Sequence, residues 1–361
     1  MTTVSQADAP PIARPSFSVR HLLRQVTPPI LVTGLGLLVL VLFLMPLGYM
    51  LTTAFKYDEQ LTWQNSPLLP AKPQTYDYQG TPLPLYNVPT DQGVKTYALV
   101  KGYREDSDVI DPVNPDKGIF NIKGRWRTWE ALYNFSPTTE NFTKAWDQIH
   151  FTLLFRNTLM IAVLSTIGAL FSSTLVAYGF ARFPIPGKNL LFIILISTIV
   201  LPPQALIIPL FVLFTKLGWT GTWLPLILPH FFANAYNVFL LRQYLMQIPK
   251  ELDEAAMIDG AGPIQTLVWV IIPQAIPALT AVTLFHFFYA WNSYFEPLVY
   301  LVGKENLFPI SVGIGNFVGT FNVFPGRAMA TAALTLILPA LLFFLAQRQF
   351  MQGVVITGVE K

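Results

Sequence analysis

The chain lacks cysteine altogether, and charged residues make up only 12% of its 361 positions. The absence of cysteine excludes disulfides, thiolate metal sites and a catalytic thiol. Histidine is scarce as well, and the four that are present have no spacing typical of metal ligands: His21, His150, His230 and His286. Soluble domains carry about 25% charged residues, so the low charge indicates a different class of protein.

An ATP-binding signature is also missing. A P-loop requires a glycine-rich turn followed by Lys and Ser or Thr at the start of a helix. The Gly-Lys pair near a helix start, Gly187-Lys188, is followed by Asn189 and has no glycine five positions earlier. We therefore expect this chain to bind no cofactor, and any ATP must be hydrolysed by a partner. The net charge of only +3 gives no reason to expect nucleic acid as a partner.

Hydrophobic residues are abundant, at 53% of the chain, and the mean hydropathy is +0.47. They are concentrated in apolar blocks of about 20 residues or more, the length that crosses a bilayer. This composition predicts an all-α membrane protein with six transmembrane helices. The blocks lie at 30–55, 157–181, 189–214, 222–241, 272–302 and 328–346.

The segment 56–150, between the first two blocks, differs from the rest of the chain. It is rich in Pro, Tyr, Asp and Gly and holds most of the acidic residues, so we expect it to lie outside the bilayer. The stretches 95–101 and 119–129 have short β-like patterns bounded by Gly and Pro. They indicate that this insertion is a small β-rich subdomain.

The positions of Lys and Arg predict the orientation of the spans, because cytoplasmic loops carry an excess of both. The basic residues that set it are Arg14, Arg20, Arg24, Arg182, Lys188, Arg242, Lys250, Arg348 and Lys361. Both termini are then cytoplasmic, and the insertion faces outward. The predicted divisions are a cytoplasmic lead (1–29), transmembrane helix 1 (30–55), an extracytoplasmic insertion (56–150), a core with helices 2–6 (151–348) and a cytoplasmic tail (349–361).

Prolines interrupt several of the predicted spans. Pro202 and Pro203 lie in the third block, and Pro273, Pro277 and Pro297 lie in the fifth. A bilayer tolerates such breaks mainly where the freed carbonyls meet other helices or a wet cavity. The breaks therefore suit a transporter or channel, and the alternative is that the kinks serve only helix packing.

Polar side chains inside a membrane span are costly and by default suggest function. The candidates for a translocation path are Asn234, Asn237, His286, Trp291, Asn292 and Glu296. At 3.6 residues per turn, Trp291 would share a helix face with Phe295, and Asn292 would share another with Glu296. An aromatic platform beside a polar strip suits polyhydroxylated solutes. The alternative is that Glu296 lies near the outer membrane boundary and is simply solvated.

A polar island at 249–273 separates two strongly apolar blocks. Pro249 can occupy the first turn of a helix, and Gly260 offers a left-handed stop, so the spacing predicts a short helix within 249–262. The side chains of Leu252, Ala255, Ala256 and Asp259 fall along one side of it. The two alanines make that side thin enough to enter a groove on a partner. The alternative, a helix lying on the membrane surface, would normally carry Lys or Arg on its polar face.

The same island carries a recognisable pattern. Glu254-Ala255-Ala256 is followed by three residues, Gly260, nine residues, and then Val270, Ile272 and Pro273. This pattern resembles the EAA motif of ABC importer permeases. The segments 181–183, 202–204, 239–243 and 291–298 are similar to the carbohydrate-uptake branch, in particular to the smaller permease subunit of maltose-type importers. The large insertion departs from that subunit, where a short loop is expected.

The resemblance implies a type I ABC importer (MetI-like) permease fold in a prokaryotic cytoplasmic membrane. It implies a second permease subunit in a heterodimer, two ABC ATPase subunits and an extracytoplasmic solute-binding protein as partners. Glu254 would pair with a basic residue of the ATPase, Ala255 and Ala256 would allow close seating, and Gly260 would supply the bend. Asp259 and Pro273 complete the coupling segment.

The function implied is that of a non-catalytic permease subunit that forms half of the path for a sugar or oligosaccharide. A permease for another solute, such as a polyamine or a sugar phosphate, is the nearest alternative. The third possibility is an autonomous secondary transporter or channel. The absence of a carboxylate deep in the first three spans weighs against a proton-driven transporter.

Overall fold

The structure, a computed structural model, describes residues 19–62, 66–90, 93–318 and 323–355. Two compact units are distinguished: Met1–Met50, which contains most of the first helix, and Leu51–Lys361. The helices are α1 Val19–Ala54, α2 Glu140–Gln148, α3 Phe151–Arg182, α4 Lys188–Ser197, α5 Pro203–Lys216, α6 Leu224–Ile227, α7 Ala235–Leu245, α8 Glu251–Ile258, α9 Pro263–Thr266, α10 Ile272–Gln274, α11 Ile276–Trp291, α12 Phe295–Tyr300, α13 Ile310–Ile314 and α14 Pro325–Val355.

The helices long and apolar enough to cross a membrane coincide with the predicted blocks. In the described part of the chain, four segments qualify singly: Leu31–Ala54, Phe151–Arg182, Leu224–Leu245 and Pro325–Arg348. Two further segments qualify only as bent pairs of helices, Lys188–Val200 with Pro203–Lys216 and Pro263–Gln274 with Ile276–Trp291. The number of spans is therefore four, or up to six if each bent pair crosses once.

The bends in these pairs lie where the prolines predicted breaks. The first pair turns by 98° at Leu201 and Pro202, and Pro203 begins the second helix at the position where a missing N–H costs least. The second pair turns by 84° at Ala275, between Pro273 and Pro277. A bend of this size leaves backbone groups that only other protein groups or water can satisfy.

Two predicted boundaries differ from the structure. Helix α1 begins at Val19, inside the predicted lead of 1–29, because the residues before the apolar block, such as Leu22, Leu23 and Arg24, are good helix formers. Helix α14 continues to Val355, into the predicted tail of 349–361. The remaining parts of the lead and tail lie outside the described residues.

Helix α3 is the most buried of the helices that qualify singly as spans, with half of its most apolar stretch enclosed by the rest of the chain. It contacts α7 along one side and α11 along another. Its buried positions include small residues such as Ala162, Ser165 and Ala169, which let helix backbones approach closely in a membrane. Helix α3 therefore packs between two other elements of the helical core.

The insertion contains antiparallel sheets. Its strands are β1 Ala71–Pro73, β2 Thr75–Tyr78, β3 Thr81–Thr90, β4 Gly93–Gly102, β5 Asp106–Ile110, β6 Phe120–Lys123, β7 Glu130–Ala131 and β8 Tyr133–Phe135. Strands β2 to β6 pair in sequence order, β7 pairs with β3, and β1 pairs with β8. Alternate residues are buried on opposite faces, with Val88 and Val109 in one cluster and Ala98 and Ile110 in another. Of the two stretches with a β-like pattern, 95–101 lies within β4, and 119–129 contains β6 and the turn Trp126–Thr128.

The base of the insertion is joined to the helical part by hydrogen bonds. The buried Asn141 of α2 donates to the carbonyls of Ala54 and Lys56, at 2.8 and 2.6 Å. Arg327 of α14 donates to Asp58 and to Gln148, at 3.2 and 2.8 Å. The bonds from Asn141 satisfy carbonyls at the C-terminal end of α1. The bonds from Arg327 to the side chains of Asp58 and Gln148 hold both ends of the insertion beside the start of α14.

Candidate functional site

Helix α8, the predicted coupling helix, runs from Glu251 to Ile258 and is therefore shorter than the predicted range of 249–262. Pro249 lies before its first turn rather than in it. Gly260 ends the helix with a φ of +84°, and the N–H of Ala261 donates to the carbonyl of Ala256 at 2.9 Å. This left-handed glycine stop is the one that the sequence predicted.

The end of α3 holds this helix in place. Arg182 Nε lies 3.2 Å from Asp253 Oδ2, and both side chains are almost fully buried. Arg182 also donates from Nη2 to the carbonyl of Ile248, at 2.9 Å. On the far side of α8, the hydroxyl of Tyr178 donates to the carbonyl of Pro263, at 3.2 Å. The coupling segment is thus bonded to α3 both before and after its helix.

Sequence reasoning missed the Arg182–Asp253 pair. Asp253 stood out only as one of three acidic residues near the positive end of the helix, and Arg182 only as a marker of orientation. A signal was available in Arg182 itself, because an arginine that ends a buried span needs a partner for its charge. Nothing in the spacing could say which of the three acids supplied it.

The outward side of α8 combines acidic and apolar side chains. We call Glu254, Ala255, Met257 and Ile258 of α8, together with Asp259 directly after it, the docking surface; all five are exposed, as are Glu251 and Leu252 in the first turn of the helix. Ile258 is 87% exposed and Met257 is 64% exposed. Among the described residues, Glu254 has no ion-pair partner. An exposed apolar patch beside an unpaired carboxylate is typical of a surface that contacts another protein.

The predicted side of the helix is wrong in one respect. Ala256 lies against the chain's own helices and is only 7% exposed, whereas Ala255 is exposed. Consecutive residues of a helix point about 100° apart, so the two alanines cannot both face a partner. Ala255 belongs to the docking surface, and Ala256 allows α8 to lie close to its own permease core.

Pro273 lies at the bend after the coupling helix. It is the second residue of α10, which follows a π-helical turn, Leu267–Ile271. A proline lacks the N–H that would bond one turn back and clashes with the carbonyl there, and a π turn is one way in which a helix accommodates such a site. Pro273 therefore shapes the path from α8 to α11 and is not part of the docking surface.

Polar residues from several elements meet in a cluster inside the helical core. His286 of α11 is 5% exposed, and its Nδ1 lies 3.3 Å from Asn237 Nδ2 of α7. The ring of His230 lies 4.7 Å from the ring of His286. Tyr289 of α11 lies 6.3 Å from His230, ring to ring, and its hydroxyl donates to Glu296 at 3.1 Å. We call His230, Asn237, His286, Tyr289 and Glu296 the polar cluster.

Glu296 of α12 is more than a solvated carboxylate at the end of the cluster. It is partly buried, and it accepts a second hydrogen bond from Ser293 Oγ at 3.1 Å. The Nε2 of His286 is buried and has no hydrogen-bond partner in the described part of the chain. A buried polar atom without a partner is costly, so the cluster has capacity for one more hydrogen bond.

The other three predicted path residues have different surroundings. Asn234 caps α7, accepting from the N–H groups of Tyr236 and Asn237 at 3.0 and 3.2 Å. Asn292 donates to the carbonyl of Phe288 at 2.8 Å, at the end of α11. Trp291 is 3% exposed and stacks on Phe287, with ring centroids 5.4 Å apart. Asn234 therefore meets the polar cluster only at the backbone N–H of Asn237, whereas the hydrogen bond of Asn292 and the stacking of Trp291 involve residues outside the cluster.

The predicted aromatic platform is therefore wrong. Helix α11 ends at Trp291, and α12 begins at Phe295, so these two residues do not share a face of one helix, and neither do Asn292 and Glu296. The break lies one turn before Pro297, whose ring would clash with the carbonyl of Ser293 in a continuous helix. That carbonyl instead accepts from Ser311 Oγ, at 2.6 Å.

Two members of the polar cluster, His230 and Tyr289, were not among the predicted residues. Tyr289 follows His286 by three positions, which places both on one face of α11, so the helical spacing could have found it. His230 lies in a 3₁₀ turn, Leu228–Phe231, that interrupts the fourth span. Its approach to His286 depends on tertiary packing. No group of three His, Cys, Asp or Glu in the described ranges could hold a metal ion.

Residues 168–355, more than half of the chain, match the family model described as the binding-protein-dependent transport system inner membrane component. The matched range contains α8, Gly260 and the polar cluster. The chain belongs to this family of ABC importer permeases. It is therefore a membrane transport subunit without catalytic activity of its own, and ATP is hydrolysed by a separate subunit. The resemblance predicted from the EAA pattern is confirmed.

Relatives from several microbes resemble the permease. It is 34% identical over 207 residues to the osmoprotective compounds uptake permease protein GgtD of Synechocystis sp., covering 57% of this chain and 70% of that one. It is 31% identical over 226 residues to the trehalose/maltose transport system permease protein MalG of Thermococcus litoralis, covering 62% and 81%. Both relatives align with well over half of the permease.

A solved structure resembles the permease in fold. It is a crystal structure of a bacterial ABC transporter involved in the import of the acidic polysaccharide alginate. The TM-score is 0.59 at 20% identity, and the match covers 93% of this chain and 99% of that chain. At this identity the likeness concerns the fold alone, and it confirms the predicted MetI-like permease fold with helical membrane-spanning segments.

Proposed function

We propose that the permease forms half of the translocation path for a sugar or oligosaccharide and that α8 couples it to an ABC ATPase. The single observation that carries the coupling is the docking surface, which exposes Ile258 and Met257 beside the unpaired carboxylate of Glu254. Two neighbouring apolar side chains exposed beside a carboxylate form the kind of patch that a partner protein commonly covers. Glu254 then pairs with a basic residue in the groove of the ATPase.

The coupling segment has two connections to the rest of the permease. Arg182 and Tyr178 join it to the end of α3, and the bend at Pro273 joins it to α11. Both helices reach the polar cluster or pack against the elements that carry it. When the ATPases close on ATP, movement of α8 is passed to α3 and α11, and the path alternates between inward-facing and outward-facing states.

The hydrogen-bonding groups of the polar cluster favour a polyhydroxylated solute. It offers the hydroxyl of Tyr289, the carboxylate of Glu296 and the unpartnered Nε2 of His286, which match hydroxyl groups as donors and acceptors. The trehalose/maltose relative favours the same class of solute. A second permease supplies the other half of the path, and a solute-binding protein delivers the solute from outside.

The proposed topology places the two basic loops, around 182–188 and 242–250, and both termini in the cytoplasm of a prokaryotic cell. Six spans result when each bent pair crosses the membrane once. The insertion of 56–150 is then a β-rich extracytoplasmic subdomain, 151–348 is the permease core, and residues 1–29 and 349–361 are the lead and the tail. The chain binds no cofactor, and ATP with its Mg²⁺ is bound by the two ATPase subunits.

Uptake by the reconstituted complex tests this function. The two permeases and two ATPases are placed in proteoliposomes with the solute-binding protein, and labelled trehalose, maltotriose, glycerol 3-phosphate and spermidine are offered with and without internal ATP. We expect uptake of a neutral sugar that requires both ATP and the binding protein. Uptake by the permease alone, without ATP, would indicate an autonomous transporter or channel, and preference for one of the charged solutes would contradict the sugar assignment.

The Glu254→Lys variant tests the docking surface in the same assay. It should abolish uptake and reduce co-purification of the ATPases, because it reverses the charge that faces the basic groove. Glu305→Lys, which reverses an exposed glutamate in the turn Glu305–Leu307, is the matched control and should behave as the wild type. Unchanged co-purification in the Glu254→Lys complex would show that α8 is not the docking helix.

A further inference from the structure

The insertion contains a cleft that the transport function does not explain. It has a volume of about 740 Å³ and is lined by four aromatic residues, Tyr86, Trp126, Trp129 and Tyr133, together with Arg127 and Glu130. Small-molecule sites commonly have volumes of about 300–1,000 Å³ and combine apolar walls with a few polar groups. The cleft lies between β3, the turn Trp126–Thr128 and the strands β7 and β8.

The aromatic wall of this cleft is fixed by its surroundings. The ring of Trp126 lies against Gly102 of β4 so closely that a Cβ at that position would overlap it. The ring of Tyr86 meets Trp126 and Trp129 edge-on, with centroids 6.2 and 6.4 Å apart. Trp129 is buried in the core of the sheet. The rings are therefore held in position before any ligand arrives.

The polar groups at the cleft are varied and nearly balanced in charge. Burial raises the pKa of Tyr86 and of Tyr133, so both hydroxyls remain protonated at neutral pH and can donate as well as accept. Arg127 and Glu130 are exposed at the opening and carry opposite charges. The guanidinium of Arg127 lies over the Trp126 ring, at 5.4 Å from its centroid. This set of groups has no excess of charge that would select an anion or a cation.

We propose that this cleft is a binding site for a neutral saccharide, separate from the translocation path. The apolar faces of a sugar ring stack on aromatic side chains such as Trp126, while its hydroxyls need the mixed donors and acceptors that Tyr86, Arg127 and Glu130 provide. Placement of the site where it meets external sugar rests on the proposed orientation of the insertion. The site holds sugar near the outer mouth of the permease, before or during its delivery by the binding protein.

Saturation-transfer NMR on the intact complex tests this site. The complex of two permeases and two ATPases is placed in nanodiscs without ATP and without the binding protein, and titrated with trehalose, lactose and maltotriose, with a trisaccharide of uronic acids for comparison. We expect at least one neutral sugar to bind, and the acidic trisaccharide to bind more weakly. Trp126→Ala should weaken the binding by about tenfold, the equivalent of losing one aromatic contact.

Further variants distinguish loss of sugar binding at the cleft from unfolding of the insertion. Gly102→Ala displaces the Trp126 ring without removing it and should also weaken binding, whereas Trp126→Phe should retain part of it. Tyr103→Ala removes an exposed aromatic ring of the same domain that does not line the cleft, and it should bind as the wild type does. Binding that is absent from the wild type, unchanged by Trp126→Ala, or strongest for the acidic sugar would overturn the proposal.

The result is independent of the test of the proposed function. If no neutral sugar is taken up but one still binds at Trp126, the transport assignment fails and the cleft proposal stands. If sugar is taken up but Trp126→Ala and Gly102→Ala bind it normally, only the cleft proposal fails. If Trp126→Ala and Gly102→Ala no longer bind the solute-binding protein, and no sugar binds to the wild type, the cleft is a protein-docking site and the saccharide proposal is wrong.

Discussion

Arg182 and Asp253 form a buried ion pair, with Nε and Oδ2 3.2 Å apart, between the end of α3 and the first turn of α8. Two charges removed from water in this way stabilise the fold only while both are present. Arg182 ends α3, and Asp253 belongs to the segment that we propose faces the ATPase. The pair therefore fixes the position of the docking surface relative to the helical core.

The Asp253→Asn variant should loosen α8 and uncouple the permease from its ATPase. It preserves the shape of the side chain but leaves Arg182 buried without a counter-charge, a change that typically costs about 3–5 kcal/mol. We expect faster hydrogen exchange in 249–262 and uptake reduced by tenfold or more, roughly what 1.4 kcal/mol corresponds to. Hydrogen exchange measured by mass spectrometry and sugar uptake give the two readouts.

Two further variants serve as controls for this pair. Glu251→Gln removes an exposed acid from the same first turn and should change neither readout. The exchange of charges in Arg182→Asp with Asp253→Arg should recover part of the lost protection. If Asp253→Asn exchanges at the wild-type rate, the ion pair does not hold α8 in place.

Replacing Ile258 with Glu should detach the ATPases while leaving the permease folded. Ile258 is 87% exposed, so the permease alone loses nothing from the change. Burying such a side chain in a partner is worth about 1.5–3 kcal/mol, so docking should weaken by roughly tenfold or more. The measurement is the amount of ATPase that co-purifies with the permease, with the thermal melting of the permease alone as a check on folding.

Val113→Glu is the matched control for this variant. Val113 is 83% exposed and lies in the insertion, on the side of the membrane opposite to α8 in the proposed topology. The variant should co-purify with the ATPases as the wild type does. Equal retention by the Ile258→Glu permease would show that this apolar patch contacts something other than the ATPase.

The sequence was informative where one residue determines the local backbone. Gly260 takes the left-handed conformation that was expected of it, and the chain bends at Pro202 and near Pro273, where proline removes a backbone hydrogen bond. Pro209 and Pro339, by contrast, lie inside the continuous helices α5 and α14. The spans could be located because their apolar length is set by the bilayer. These features follow from local chemistry and need no knowledge of the fold.

Features that depend on two distant residues were missed or misplaced. The partner of Asp253 is 71 positions away, at Arg182, and nothing local distinguishes Asp253 from Glu254. Ala256 faces its own core because Asp253, on the same side of α8, is drawn toward that arginine. The break after Trp291 had a local cause in Pro297. The hydrogen bond that satisfies the freed carbonyl of Ser293, however, is donated by a distant residue, Ser311.

The Tyr289→Phe variant should weaken transport without affecting the ATPase. It removes the hydroxyl that donates to Glu296 and leaves Ser293 Oγ, next to the cluster, as the donor to that carboxylate. A hydrogen bond to a charged group is worth about 1.5–3 kcal/mol. We expect a higher KM for sugar in proteoliposomes, with unchanged ATPase co-purification. Thr283→Ala, on the same helix but bonded only to its own backbone at Leu279, is the control and should leave the KM unchanged.

Excision of the sheet from the insertion should separate its role from that of the core. Ala71 and Phe135 are paired across β1 and β8, and residues opposite each other in antiparallel strands have Cα atoms only about 4.5–5.5 Å apart. Residues 72–134 can therefore be replaced by a linker of about two Gly or Ser residues. The bonds of Asn141 to Ala54 and Lys56, which lie outside the excised range, are retained.

We expect the excised permease to keep its ATPases but to lose most of its uptake, because we propose that the insertion contacts the solute-binding protein or the partner permease. The measurements are ATPase co-purification, and stimulation of ATP hydrolysis by sugar-loaded binding protein. Comparison with Trp126→Ala then distinguishes sugar binding from protein contact. If the excision abolishes the stimulation of ATP hydrolysis and Trp126→Ala does not, a part of the sheet outside the aromatic cleft contacts a partner protein. Full uptake by the excised permease would limit the insertion to stabilising the assembly.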